Sequence, residues 1–260
     1  MRCLRRIPLE GAFNARDLGG YPTASGRSTR WGALVRSDSP ARLAPGDWAT
    51  LRRMGIETLV DLRSDFEAET SPVMPPEPMR YVHVSLMRQV DELPRESLRP
   101  GSADALDPAE AERMIKSMTV AYGEAVRSNA SACASAMGAV LDGLGRGGVL
   151  FFCSAGKDRT GIVAALCLYL CGVPKEDIVA DYMVTAVYNK GGIDRRLRAE
   201  YAASMVDERM MDLALSSDAK TMEGLVDDLD EMDVASMLDE AGFTRDDQGR
   251  LEALLCEEIG

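Results

Sequence analysis

Between Gly148 and Leu170 the chain has little choice of structure. Gly148-Val149-Leu150-Phe151-Phe152 is short, apolar and bulky, and reads as a buried strand. Thr160 to Leu170 reads as a buried helix that stops at Gly172 and Pro174. The link between them is Cys153-Ser154-Ala155-Gly156-Lys157-Asp158-Arg159-Thr160-Gly161, so a cysteine and an arginine six positions apart share one tight loop at a helix start. Loop amides and a helix N-terminus make an anion pocket. The planar fork of Arg159 can clamp two oxygens of a tetrahedral anion. Positive surroundings favour a thiolate, which is the nucleophilic form of a cysteine. A thiolate in a phosphate cradle is the apparatus for phosphoryl transfer through a cysteinyl-phosphate. Cys167 and Cys171 on the next helix look like small buried hydrophobes. That bland role does not account for Lys157 and Arg159 beside a core strand. A nucleotide P-loop is excluded, because Asp158 follows the lysine and no glycine stands at the required earlier position.

Within this string the roles follow from residue type. Cys153 is the nucleophile and Arg159 binds the equatorial oxygens. The backbone amides of Ser154, Ala155, Gly156, Lys157, Asp158 and Arg159 complete the phosphate site. Gly156 lets the backbone turn close to the anion, and Gly161 permits tight packing of the helix. The Thr160 hydroxyl either donates to the thiolate or caps the helix. Lys157 either attracts anionic substrates or holds a carboxylate in a salt bridge.

Three further blocks precede the loop: Asn14-Ala15-Arg16-Asp17-Leu18-Gly19-Gly20, Arg36-Ser37 and Asp61-Leu62-Arg63. With these blocks in this order over residues 13–161, the chain resembles the bacterial tyrosine/serine phosphatases of the cysteine-dependent protein tyrosine phosphatase superfamily. Beyond residue 195 the resemblance is weak. It implies a central sheet flanked by helices, and hydrolysis of phosphomonoesters. The expected substrates are phosphorylated proteins, phosphotyrosine first, with phosphoserine/threonine or phosphoinositides as wider classes. The string Trp-Pro-Asp, which carries the general acid in the best-known phosphatases, is absent. The resemblance offers Asp158 as the acid instead, with Asp61 as rival. Arg16 and Asp17 would support the loop from behind. Arg36, Arg63 and Arg88 would extend the anion field, unless Arg63 pairs with Asp65 or Glu67. One departure stands out: the family usually has His before the catalytic Cys, and this chain has Phe152. That departure is the one support for a phosphate-binding module without turnover. A rhodanese-like sulfurtransferase is a further alternative, although its loop is usually one residue shorter.

Composition narrows the rest. The chain has 260 residues, enough for one large domain or one domain plus a small appendage. Net charge is −12 and uneven: residues 1–199 carry 26 Lys+Arg against 24 Asp+Glu, and residues 200–260 carry 4 against 18. An acidic C-terminal part argues against nucleic-acid binding by the whole chain. The cysteines at 3, 133, 153, 167, 171 and 256 contain no C-x-x-C pair and read as reduced thiols, so a cytoplasmic location is expected. The N-terminus lacks an apolar signal core, although secretion without a cleaved signal remains compatible with it. The longest apolar stretch, Gly161 to Val173, falls short of the ~20 residues a membrane span needs. His83 is the single histidine and reads as a structural residue on a strand, so multi-histidine metal sites are excluded and neither a metal nor another cofactor is expected. Nothing in the sequence sets the oligomeric state.

Along the chain, Phe13 to Ser37 reads as short strands and turns, Pro45 to Met54 as a helix, Ile56 to Leu62 and Tyr81 to Leu86 as strands. Residues 87–106 are polar and read as a loop or cover. Asp107 caps a helix running to about Arg127, a second spans about 130–144, and Pro174 opens a third that ends near Tyr188. Residues 194–259 read as amphipathic helices forming a solvated cap. The expected organisation is a catalytic core over 1–193 and an acidic helical extension, packed on it, over 194–260. Strands alternating with helices imply an α/β fold, in which ligands bind beyond the C-terminal strand ends. Asp61 and Cys153 both belong there.

Overall fold

A computed structural model describes residues 5–86, 122–190, 192, 193, 195 and 216–259. The elements are β1 (Arg16–Asp17), β2 (Arg27–Thr29), β3 (Leu34–Ser37), α1 (Pro45–Arg53), β4 (Ile56–Asp61), α2 (Asp65–Thr70) and β5 (Arg80–His83). Helix α3 is described over 122–128. There follow α4 (Ala130–Leu144), β6 (Gly148–Phe152), α5 (Asp158–Leu170), α6 (Lys175–Asn189), α7 (Ala219–Glu231), α8 (Val234–Glu240), α9 (Arg245–Leu255) and β7 (Cys256–Glu258).

The expected α/β architecture is present. The main sheet runs β1-β3-β6-β4-β5, with β3, β6, β4 and β5 parallel and β1 antiparallel at one edge. Strand β6 is central and buried along its length, as its unbroken apolar run requires. Its side chains alternate between the two faces. Val149 and Phe151 join a cluster with Met137 and Val140 of α4 and Val163 of α5. Leu150 and Phe152 join a second cluster with Leu51 of α1 and Ile7. Helix α5 is buried on every side from Thr160 to Leu168, which explains why its sequence is apolar all round. Every parallel strand points its C-terminal end at the edge where the Cys153 loop leaves β6.

Some boundaries differ from the sequence reading. Helix α5 begins at Asp158 rather than Thr160. Strand β5 ends at His83; beyond it Val84 N–H still bonds the Asp61 carbonyl and Leu86 N–H the Leu62 carbonyl. The C-terminal helices do not run to the end: Cys256–Glu258 is a strand, paired antiparallel with β2. Leu225, Leu229, Leu238, Leu251 and Leu255 from α7, α8 and α9 enter the same apolar cluster as Val149 and Phe151. The polar stretch 87–106, the helix start at Asp107, Arg88 and residues 196–215 lie outside the described residues. Among the described residues no helix is long and apolar enough to cross a membrane.

Candidate active site

The loop from Cys153 to Lys157 is held by its carbonyls. Ser154 C=O accepts from Ser39 N–H at 3.2 Å. Ala155 C=O accepts from the side-chain amides of Asn14 (3.2 Å) and Asn189 (3.1 Å). Gly156 C=O accepts from Asn14 Nδ2 and Arg36 Nη2, both at 2.9 Å. Lys157 C=O accepts from Gly161 N–H at 2.7 Å. In a trans peptide the carbonyl and the following N–H point in opposite directions. Tying the Ser154, Ala155 and Gly156 carbonyls to groups outside the loop therefore turns the N–H groups of residues 155–157 back toward its inside, and the Lys157 carbonyl begins the bonding of α5. Gly156 is required twice over. Its φ is +66°, and a Cβ there would meet the Ser37 carbonyl oxygen at 2.5 Å.

The support behind the loop is a buried ionic cluster. Arg16 donates through Nε to Asp181 Oδ1 at 2.8 Å and through Nη1 to Asn14 Oδ1 at 2.6 Å. Arg36 donates to Asp181 Oδ2 at 2.5 Å. Burial works to raise the Asp181 pKa, but the charges and hydrogen bonds of Arg16 and Arg36 overcome it and hold the group at about 2. Arg36 is itself pushed below the usual guanidinium range by burial and by the neighbouring Arg16. Asp38 fixes the start of the Asn14 segment by accepting from Phe13 N–H and Asn14 N–H. Asn14 and Arg36 thus reach the loop directly, Arg16 braces Asn14 from behind, and Asp181 on α6 ties the two guanidiniums together. Asp17 serves its own turn, accepting from Gly19 N–H and Gly32 N–H at 2.8 Å each.

Cys153 directly follows β6 and is 3% exposed. Thr160, in the first turn of α5, has a fully buried hydroxyl with no hydrogen-bond partner among the described residues. Arg159 lies at the mouth, where both of its terminal nitrogens reach Glu67 of α2, Nη2 to Oε1 at 3.0 Å. The Ser154 hydroxyl donates to the same carboxylate. Burial acts to raise the Glu67 pKa, yet the Arg159 bonds and charge, then Ser154 and the Ser64 amide, hold it at about 2. The pair ties the guanidinium to α2 through both of its terminal nitrogens.

Asp158 is the first residue of α5. Its Oδ1 accepts from the Tyr122 hydroxyl and lies 3.4 Å from Lys157 Nζ. Lys157 is buried, so of its two expected roles the salt bridge to a carboxylate is the contact seen. Asp61 lies elsewhere. It faces the Phe152 side of the sheet, fully buried, and its carboxylate accepts from Arg63 Nη2 at 2.6 Å and from the Tyr81 hydroxyl at 2.7 Å. Arg63 is consumed by that pair rather than by Asp65 or the Glu67 carboxylate, and its guanidinium sits 5.4 Å from the Phe152 ring centre. Phe152 is thus a core side chain beneath an arginine. His83 hydrogen-bonds the Arg63 carbonyl at 2.8 Å, a structural role.

Sequence reasoning missed Glu67, Asp181, Asn189, Tyr122 and Tyr182 as parts of this site. Glu67 carried a usable signal, since Ser64-x-x-Glu67 is a capping box that sets its carboxylate at the C-terminal end of β4.

The site thus sets a buried cysteine directly after β6, a loop anchored by its carbonyls, and an arginine in the first turn of α5. A sequence model of the tyrosine phosphatase family matches residues 7–257. The chain belongs to that family. Its relatives include a Cupriavidus necator protein bearing a tyrosine-protein phosphatase name, 34% identical over 177 residues, or 68% of this chain and 62% of that one. A tyrosine-protein phosphatase of Nostoc commune is 31% identical over 181 residues, covering 67% of this chain and 56% of its own length. The triple specificity protein phosphatase PtpB of Mycobacterium tuberculosis is 35% identical over 191 residues, 67% of each chain. This chain therefore matches less than two thirds of the length of the first two relatives.

Proposed function

We propose that this protein hydrolyses phosphomonoesters through a cysteinyl-phosphate intermediate, with phosphotyrosine in proteins as the leading substrate. The observation that carries the reading is the anchoring of the Ser154, Ala155 and Gly156 carbonyls to groups outside the loop, which turns the amides that follow them back toward its inside, beside Cys153. The Cys153 thiolate attacks phosphorus in line, forming the S–P bond as the ester P–O bond breaks. Inward amides and Arg159 hold the equatorial oxygens as charge moves across them. The leaving oxygen takes its proton from Asp158. A water then attacks the phosphocysteine, giving its proton back to Asp158 and releasing phosphate and thiolate. The orphan Thr160 hydroxyl donates to the departing thiolate. Asp158 is preferred to Asp61 because Asp61 is locked between Arg63 and Tyr81 and fully buried. Phosphoserine/threonine and phosphoinositides are the wider substrate classes to test. The word "triple" in the mycobacterial relative's name is a further reason to include them.

The direct test is hydrolysis of p-nitrophenyl phosphate in EDTA, followed by a panel of phosphotyrosine peptide, phosphoserine peptide and phosphoinositides. Phosphate release from none of these would reject the proposal, and thiocyanate formation from thiosulfate and cyanide would point to sulfur transfer instead.

Asp158 is tested by leaving group. General acids contribute about 10²–10⁴-fold, and only where the leaving oxygen needs a proton. Asp158→Asn is expected to lower kcat/KM about 10²-fold or more on an alkyl phosphate, and less than about tenfold on p-nitrophenyl phosphate. If Asp61→Asn shows that contrast and Asp158→Asn does not, the roles are reversed.

Glu67 is the positioning group for Arg159. Glu67→Gln keeps the size but removes the charge, so the guanidinium gains freedom. A small misplacement of a catalytic group costs up to about 10²-fold, and kcat is expected to fall about tenfold with the melting temperature little changed. Unchanged kcat would show that the loop alone orients Arg159.

A further inference from the structure

Asp158 presents a problem of placement. It sits at the first position of α5 with its side chain 39% exposed, where a carboxylate ordinarily samples several rotamers. A proton donor must instead meet the leaving oxygen in one geometry. We infer that Tyr122 is the positioning residue for Asp158, and that Tyr182 in turn fixes Tyr122. The inference rests on Asp158 being the general acid.

The contacts form one directed chain. The Tyr122 hydroxyl gives its single proton to Asp158 Oδ1. Its 3.0 Å contact with the Tyr182 hydroxyl must then have Tyr182 as donor, because a phenol carries one hydrogen. The two rings meet edge to face, with centres 6.2 Å apart and planes at 87°. Tyr182 is set by α5 itself: a Cβ on Gly161 would lie 3.1 Å from Tyr182 Cδ2 and 3.3 Å from Cε2. The tight approach expected of Gly161 is therefore an approach to this ring. Burial first, then the Asp158 charge, pushes both phenols well above their ordinary pKa, so both remain hydrogen-bond donors at working pH.

The consequence is an assignment of the carboxyl oxygens. Oδ1 is occupied by the Tyr122 hydrogen bond and lies beside Lys157 Nζ. Oδ2 takes no hydrogen bond from any described residue. The transferable proton of Asp158 therefore sits on Oδ2, which is the oxygen left for the substrate. Tyr122 donates in both halves of the cycle, whether Asp158 is the acid or the base, and so holds one rotamer throughout.

The experiment compares Tyr122→Phe, Tyr182→Phe, Asp158→Asn and the parent. It reads kcat/KM on p-nitrophenyl phosphate, on phenyl phosphate and on an alkyl phosphate. Tyr122→Phe is expected to lose about tenfold on the alkyl ester and less than about twofold on p-nitrophenyl phosphate, with phenyl phosphate between. Tyr182→Phe keeps the donor to Asp158 and is expected to lose about threefold on the alkyl ester alone. It also keeps the test open if Tyr122→Phe does not fold. Equal losses on all three substrates would mean that the tyrosines only support the fold, and no loss would likewise overturn the inference. If Asp158→Asn discriminates between leaving groups while neither tyrosine variant does, positioning fails and the acid stands. If Asp158→Asn does not discriminate, the acid assignment fails and takes the inference with it.

Discussion

Cys153→Ser abolishes turnover and leaves phosphate binding nearly intact. The expected loss in kcat is at least about 10⁴-fold, because a serine hydroxyl is weakly nucleophilic without a base beside it. No histidine is available to play that part, since His83 is bound to the Arg63 carbonyl. Binding survives because nothing in the anion site depends on sulfur. The inward amides are set by Asn14, Arg36, Ser39 and Asn189 acting on carbonyls, and Arg159 is set by Glu67. Calorimetric titration of inorganic phosphate into the variant measures the second half of the claim, and p-nitrophenyl phosphate turnover the first. Activity within tenfold of the parent would remove Cys153 from the mechanism. Lost phosphate affinity alongside lost activity would mean that the sulfur, rather than the anchored carbonyls, shapes the loop.

How much of this could be read from the sequence depended on how local each signal was. Strand β6, its loop and helix α5 form one contiguous run, bounded by glycines and a proline, so the candidate nucleophile and its arginine were legible at once. The residues that aim them come from far along the chain. Arg159 and Glu67 are 92 positions apart, and Arg36 and Asp181 are 145 apart. Taken alone, Glu67 is a helix-capping residue. Asp181 does carry a trace: it is a lone acid on the buried face of α6, beside Ile178, Tyr182 and Thr185. A charge at a core position demands a partner, but the pattern along one helix does not name Arg16 and Arg36. The C-terminal strand was invisible for another reason. Cys256–Glu258 is only three residues long, has no alternation and follows directly on a helix. It is specified by pairing with β2, where Glu258 faces Arg27 in register and Glu257 approaches Arg30 at 3.8 Å. Part of the acidic excess read as a solvated surface therefore meets arginines of the N-terminal turn region.

Arg159→Lys is expected to be nearly as damaging as loss of the nucleophile, although it keeps the charge. The guanidinium has five N–H donors in a plane, enough to hold Glu67 through both terminal nitrogens and still present hydrogens to a phosphate. An ammonium is a point donor. It satisfies Glu67 or the anion, and cannot hold the planar geometry that a transferring phosphoryl group requires. Loss of one preorganised donor costs about 10²–10³-fold, and the upper end, ~4 kcal/mol, applies because the orientation of the whole group goes with it. The fold should survive. Arg159 lies in the first turn of α5, its side chain is 12% exposed at the mouth, and Lys is as good a helix former as Arg. Near-normal kcat in a folded Arg159→Lys protein would place the phosphate elsewhere. The double variant with Glu67→Gln sharpens the test. If Glu67 acts only by aiming the guanidinium, its removal costs little once the guanidinium is gone, and the two losses are far from additive. Additive losses would show that Glu67 acts on the reaction independently of Arg159.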